Sequence, residues 1–185
     1  SEGLVGSEMC IRDSIKDIEE IRLSNLEVLN DKPTSVNDKA IVWLSYSVHG
    51  NESSSTEASM QTLYYLLTKN YDLLENTIVI IDPCLNPDGR DRYSNWYNQV
   101  RTMPYTSDKI SKEHSEPWPG GRANHYLFDL NRDWAWLTQI ESELRLKEYQ
   151  RWLPHVHVDF HEQGIDEPYY FAPAAEPYHE VITKW

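Results

Sequence analysis

The sequence predicts an α/β fold with a largely parallel sheet, and three consecutive segments carry that prediction. Residues 40–47 form an apolar run that is typical of a buried strand, and residues 56–69 follow with apolar side chains at helical spacing. Residues 77–81 are a continuous apolar run rich in β-branched side chains, which indicates a strand buried on both faces. A strand, a helix and a strand at this spacing predict a βαβ unit, whose strands run parallel.

Two further helices flank this unit in the sequence. Residues 14–29 predict a helix that Ser14 can cap, because apolar side chains recur there at helical spacing. Residues 138–152 predict a second helix, which begins with a capping box of Thr138 and Glu141 and stops before Pro154.

A third strand is predicted for residues 155–162, and residues 168–173 suggest another short one. In the third strand Val156, Val158 and Phe160 share one face. The other face carries His155, His157, Asp159 and His161. For His155 and His157 an edge strand with a solvent-exposed polar face is an equally good interpretation.

Two stretches between these elements lack regular periodicity. Residues 86–89, Asn-Pro-Asp-Gly, predict a turn, because proline fixes φ and glycine accepts a positive φ. Residues 103–126 show no period, and so long an irregular segment is generally either functional or disordered.

Composition excludes several classes of partner. The formal net charge of −13 argues against binding to nucleic acid or to an anionic membrane surface. No apolar run approaches the roughly 20 residues that a membrane span needs. Seven Trp and twelve Tyr supply ample material for a core.

The two ends of the sequence are expected to be truncated. Residues 4–13 resemble a translated sequencing adapter, so residues 1–13 are expected to be non-native and the biological chain to begin near Ser14. Cys84 would then be the only native cysteine, which rules out an internal disulfide. Residues 178–185 begin a plausible helix without a stop signal.

A candidate metal site lies at the ends of the predicted strands. His49 and Glu52 directly follow the first strand, and His161 lies near the end of the third. Side chains at the carboxyl ends of parallel strands converge on one crevice, and nitrogen with oxygen ligands favours zinc. A solvated His-Glu pair in a loop is the simpler alternative for His49 and Glu52, and His157 is an alternative third ligand.

Taken in order, four motifs resemble the M14 (carboxypeptidase A) family of zinc carboxypeptidases. They are H-x-x-E after a strand, N-P-D-G, an Asn-Arg pair and a strand that ends in a histidine. The resemblance covers residues 14–185, which would form the N-terminal two-thirds of such a catalytic domain. It implies a mostly parallel mixed sheet with helices on both faces.

The resemblance also implies roles for individual residues. His49, Glu52 and His161 would bind Zn²⁺, and Asp129 would orient a zinc histidine. Asn131 and Arg132 would bind the terminal carboxylate of the substrate, which a planar guanidinium suits. The family's oxyanion arginine lies twelve residues after the glycine of N-P-D-G. That count leads to Arg101, with Arg92 and Arg122 as alternatives.

The implied activity is zinc-dependent hydrolysis of the C-terminal bond of peptides or proteins. The family's general base lies on a later element, so we expect it beyond Trp185 and expect this chain alone to be inactive. Glu162 is not a candidate base, because its side chain should point to the opposite face of the strand from His161. The alternatives are a zinc-dependent deacylase or amidase of N-acyl amino acids and a non-catalytic, zinc-holding peptide-binding module. The resemblance favours a secreted or periplasmic location, and the sequence does not indicate an oligomeric state.

Overall fold

The computed structural model describes residues 19–20, 22–23, 39–164 and 167. Residues 19–20 and 22–23 are helical, in agreement with the helix predicted for residues 14–29. The remainder of that helix, the adapter-like segment and the strand predicted for residues 168–173 lie outside the described residues.

Three parallel strands form the sheet that positions the candidate site. They are β1 (Ala40–Tyr46), β2 (Thr77–Asp82) and β3 (Val156–Phe160), in the order β2-β1-β3. The register aligns their carboxyl ends, because Ser45 pairs with Asp82 and Tyr46 pairs with Phe160. The loops that leave β1 and β3 therefore start side by side at one edge of the sheet. The predicted parallel βαβ unit and third strand are confirmed.

Helices cover both faces of this sheet. The α-helices are α1 (Ser54–Thr68), α2 (Pro87–Val100) and α3 (Ile140–Trp152), and short 3-10 helices occupy Tyr71–Leu74, Lys112–His114 and Leu130–Arg132. On one face Tyr46 donates a hydrogen bond to Thr62 of α1 at 3.3 Å. On the other face the ring of Trp43 packs 5.7 Å from the ring of Tyr149 of α3. The α/β class with helices on both faces is confirmed.

No helix among the described residues combines the length and the apolar character that crossing a membrane requires.

The Asn-Pro-Asp-Gly segment begins a helix that the sequence did not predict. Asn86 is the N-cap of α2, and its side chain accepts a hydrogen bond from the backbone N–H of Gly89 at 2.9 Å. Pro87 occupies the first turn, where its missing N–H has no intrahelical partner to lose. The polar composition of α2 hides the helical period, but an N-cap asparagine followed by proline is itself a start signal.

The capping box expected at Thr138 and Glu141 does not form. Asp133 caps this region instead, since it accepts from the backbone and hydroxyl of Thr138 at 2.9 and 2.8 Å and from the backbone of Gln139 at 2.9 Å. One buried carboxylate thereby satisfies three donors, and the helix begins two residues later than predicted, at Ile140. Its end at Trp152 is as predicted.

The irregular segment after α2 is organised around one buried carboxylate. Glu113 accepts hydrogen bonds from the backbone N–H groups of Thr102 at 2.6 Å and Thr106 at 2.9 Å, and from the hydroxyl of Thr102 at 3.0 Å. Those backbone hydrogen bonds are the main reason that the pKa of Glu113 is lowered. An ionised glutamate therefore closes the first part of the segment into a fixed loop.

We expect the loop around Glu113 to loosen in acid. Because the pKa is lowered by folding, the stabilisation is complete above the ordinary glutamate value of about 4.3 and is lost as the pH falls through the lowered value. Glu113→Gln should abolish this pH dependence and weaken protection of the Thr102 and Thr106 amides at neutral pH. Hydrogen exchange of those amides measures both effects. The exposed Glu143→Gln variant is the control, and equal protection in both variants would contradict the role of Glu113.

Candidate metal centre and active site

His49, Glu52 and His161 meet at the carboxyl edge of the sheet. Nδ1 of His49 lies 2.6 Å from Oε1 of Glu52, and Nδ1 of His161 lies 3.1 Å from Oε2 of the same carboxylate. One ligand atom from each residue lies within 4.8 Å of the others. His49 is buried, whereas about a third of the His161 side chain is exposed. Two imidazole nitrogens and a carboxylate form a donor set that fits zinc and leaves an open side.

The other histidines of β3 lie away from this cluster. Nε2 of His157 is 2.9 Å from the hydroxyl of Ser45, and its ring packs against Tyr149 of α3. Nδ1 of His155 accepts a hydrogen bond from the backbone of Ile41 at 2.9 Å. These contacts remove His157 as an alternative third ligand. The predicted polar face of β3 is thus partly covered by α3, while Val156 and Val158 are exposed.

Each histidine of the cluster has its second ring nitrogen against a carboxylate. Nε2 of His49 lies 3.0 Å from Oδ1 of Asp129, and Nε2 of His161 lies 3.1 Å from Oδ2 of Asp159. Such partners fix the tautomer and the orientation of a metal-binding imidazole. Asp129 was expected from the sequence and Asp159 was not. The signal for Asp159 was its position two residues before His161 on the same face of a strand.

The cluster favours ionised carboxylates. Burial raises the pKa of Glu52, but hydrogen bonds from His161, His49 and the backbone of Glu162 outweigh it and lower the pKa to about 2. Hydrogen bonds to Asp159 and then to Glu52 raise the pKa of His161 to about 10. Burial also raises the pKa of Asp129, and the hydrogen bond from His49 helps to bring it below its ordinary value. The surroundings of the two histidines are therefore anionic, as a divalent cation requires.

Arg122 is the arginine that the structure brings to this cluster. Its Nε and Nη2 donate to Oδ2 of Asp129 at 3.0 and 2.9 Å, and its Nη1 lies 3.3 Å from Nδ1 of His49. Nearly half of its side chain, 47%, is exposed. A guanidinium held on one side by a carboxylate and open on the other can still bind a developing negative charge.

Arg101 lies at the other end of α2. It is the exposed C-cap residue of this helix. Twelve residues at 1.5 Å each place it about 18 Å along the helix axis from Gly89. The structure therefore does not bring the arginine expected from residue counting to the cluster. Arg92, the other alternative, donates to the backbone carbonyls of Gly120, Ala123 and Asn124 and so shapes the segment that carries Arg122.

Three glycines allow three loops to meet beside the cluster. A Cβ on Gly50 would lie 2.1 Å from the backbone nitrogen of Arg90, and a Cβ on Gly121 would lie 2.5 Å from the carbonyl oxygen of Gly89. Real Cβ atoms essentially never come so close to backbone atoms. Any side chain at these positions would push apart the loops that follow β1 and begin α2, together with the segment that ends in Arg122.

Asn86 ties the same three loops together. Its amide nitrogen donates to the carbonyl oxygens of Val48 at 3.3 Å and Arg122 at 3.1 Å, while its oxygen accepts from Gly89. The residue is fully buried. Because its partners directly precede His49 or belong to Arg122 itself, one side chain fixes the backbone at both functional positions.

Asn131 and Arg132 lie next to the cluster on a 3-10 helix. Nδ2 of Asn131 is 3.5 Å from Nε2 of His161. The Arg132 side chain is exposed and donates to the carbonyl of Asn131 at 3.2 Å. Asp129 caps this helix by accepting from the backbone N–H of Asn131 at 2.9 Å. The expected carboxylate-binding pair is thus adjacent to the expected metal ligands.

Glu162 is bound to the first turn of α1. Its Oε1 accepts from the backbone N–H of Ser54 at 2.6 Å and from the hydroxyl of Ser54 at 2.5 Å. Its own backbone N–H donates to Oε2 of Glu52 at 2.8 Å. The carboxylate therefore holds the first turn of α1 against the end of β3, where the helix dipole favours a negative charge.

A His-Glu-His cluster at the carboxyl ends of parallel strands in an α/β sheet is a candidate zinc site. The family model of Peptidase M14, zinc carboxypeptidase, matches residues 16–152, and the chain belongs to this family. Zinc is the metal of that family. A comparison with curated proteins finds no match. The matched range ends before His161, so it is the structure that joins this residue to His49 and Glu52.

We expect His49→Ala and His161→Ala each to abolish stoichiometric zinc binding, because two protein ligands are too few for a catalytic zinc site. Titration of the purified chain against a chromophoric zinc chelator measures this. His125→Ala is the matched control, since His125 is exposed and its one described contact is with the ring of the adjacent Tyr126. Unchanged zinc affinity in either ligand variant would contradict the assignment.

Proposed function

We propose that the chain is the zinc-holding part of a metallocarboxypeptidase that hydrolyses C-terminal bonds of peptides or proteins. The observation that carries the proposal is the position of Asn131 beside His161, with the exposed guanidinium of Arg132 bonded to the backbone carbonyl of Asn131. An exposed guanidinium one residue from a side chain that contacts a candidate metal ligand can bind a terminal carboxylate through two parallel hydrogen bonds. A substrate held in this way would present its last amide bond to the metal cluster.

Different residues of the chain would have different roles in the reaction. Zinc bound by His49, Glu52 and His161 would supply a Lewis acid for the scissile carbonyl and a nucleophilic water at neutral pH. Arg122, in place of Arg101, would donate hydrogen bonds to the carbonyl oxygen as negative charge develops on it. One such preorganised donor contributes about 3–4 kcal/mol to lowering the barrier.

The general base is proposed to lie outside the described residues. Glu162 is the carboxylate adjacent to a ligand, but Ser54 already occupies its Oε1. We expect the base on a later element, in keeping with the resemblance to the family. Since general-base assistance contributes roughly 10²- to 10⁴-fold, the 185-residue chain alone should show only residual turnover.

Substitution of the two rival arginines separates their roles. In the complete translation product, Arg122→Ala should lower kcat about 10²- to 10³-fold with zinc content unchanged, because a donor to the oxyanion is lost. Arg101→Ala removes an equal charge at the far end of α2 and should leave kcat within about twofold. Steady-state kinetics with metal analysis measure both. A large loss in Arg101→Ala with none in Arg122→Ala would restore the assignment that residue counting suggests.

The substrate class is tested with matched pairs of substrates. Peptides with a free C-terminus should be cleaved and their C-terminal amides should not, because the amide removes the charge that Arg132 binds. Arg132→Lys should reduce kcat/KM for the free peptides about tenfold or more, since an ammonium group cannot make both parallel hydrogen bonds. Preference for N-acyl amino acids over peptides would indicate a deacylase. Zinc binding without turnover of any substrate by the complete product would indicate a binding module.

A further inference from the structure

We propose that Asp159 is a positioning residue for the metal centre, because its carboxylate fixes the His161 ring so that Nδ1 faces the metal. The inference rests on the proposed role of His161 as a zinc ligand. Asp129 is the expected partner of His49. Asp159 is a second, separate carboxylate, and it comes from β3, which ends one residue before His161.

The His161 ring lies between two carboxylates. Its Nε2 lies 3.1 Å from Oδ2 of Asp159, and its Nδ1 lies 3.1 Å from Oε2 of Glu52. A neutral imidazole carries one N–H, and a metal needs the lone pair of the other nitrogen. A carboxylate is an acceptor only, so each ring nitrogen can donate a proton to its own partner. A metal on the side of Glu52 would replace the proton on Nδ1, and Asp159 would hold the remaining proton on Nε2.

The opposite side of Asp159 is also fixed. The hydroxyl of Ser45 donates to Oδ1 of Asp159 at 3.1 Å, which uses its single proton. Nε2 of His157, 2.9 Å from the same hydroxyl, must then be the donor in that contact. A directed chain of hydrogen bonds therefore runs from His157 through Ser45 to Asp159, and both carboxylate oxygens are committed.

Arg145 places a buried positive charge near Asp159. Its guanidinium is buried over the ring of Trp134 at 3.8 Å and acts through space on Asp159. Its Nε and Nη1 have no hydrogen-bond partner within the part of the chain that the structure describes. Nearby carboxylates therefore balance the charge of Arg145. One of them is Asp159, which also contacts His161.

A purely structural role is the competing interpretation, since Asp159 could serve only to neutralise Arg145. The two roles separate in a double variant. Arg145 and Asp159 are not in direct contact, but they stabilise each other through space. Removing one of two opposite charges in a partly buried region is costly, whereas replacing both with apolar residues is often neutral for stability. Asp159→Leu combined with Arg145→Met should therefore recover much of the stability that Asp159→Leu loses, but it cannot restore the acceptor for Nε2 of His161.

The experiment measures zinc affinity and thermal unfolding of the full 185-residue chain in parallel. We expect Asp159→Leu and the double variant each to bind zinc about 10- to 100-fold more weakly than the unsubstituted chain. Arg145→Met alone keeps the acceptor, so it should bind zinc within about threefold. Zinc affinity in the double variant that returns to the unsubstituted value together with its Tm would overturn the proposal.

A spectroscopic readout reports on the tautomer directly. Long-range ¹H–¹⁵N NMR of the zinc-loaded chain should show the His161 proton on Nε2, and Asp159→Asn should perturb that signal while leaving the His49 signal unchanged. Asp129→Asn is the matched control and should do the reverse. Equal effects of the two variants on both rings would contradict the pairing. An unsubstituted chain that binds no zinc would instead overturn the metal centre itself.

Discussion

The close approach of three backbone segments at Gly50, Gly89 and Gly121 is the constraint on which the rest of the site depends. Asn86 fixes this junction from within, since it bonds to the segments on either side and to its own helix. The fully buried amide has no water to replace those partners, and leaving such groups unpaired costs roughly 1–3 kcal/mol each. The N-P-D-G motif therefore acts through its asparagine and glycine, which set where His49 and Arg122 lie, and its aspartate is exposed.

The electrostatics of the site follow from placing one carboxylate behind each histidine. Asp129 comes from a loop between α2 and α3, and Asp159 comes from β3. The two histidines are thus oriented by separate parts of the fold, and a disturbance of one need not reach the other. Arg122 offsets part of the negative charge and remains partly exposed toward the open side. Fixed dipoles and charges of this kind need no rearrangement when charge develops in a substrate.

The sheet and the three candidate ligands could be predicted from the sequence. Short apolar runs mark the strands, and the histidine and glutamate residues that can bind a metal lie at the ends of those runs. Arg122 was only an alternative to Arg101, because counting twelve residues from Gly89 assumes that the chain follows the same path after this motif as it does in the family. Here α2 continues to Val100 and carries Arg101 away, and a long segment held by Glu113 and Arg92 returns the chain to the site. The helix itself was missed because its sequence is polar, and the cap at Asp133 was missed because a nearby Thr-Glu pair fits a commoner pattern.

The contact between Glu162 and Ser54 spans 108 residues of sequence, and His161 lies 109 residues after Glu52. During translation at about 5–20 residues per second, roughly 5–20 s pass between synthesis of the first two ligands and synthesis of the third. Until then the chain has two of its three candidate metal ligands, and the first turn of α1 lacks the carboxylate of Glu162. Completion of the metal site and capping of the first turn of α1 therefore both wait for synthesis of the same two residues, His161 and Glu162.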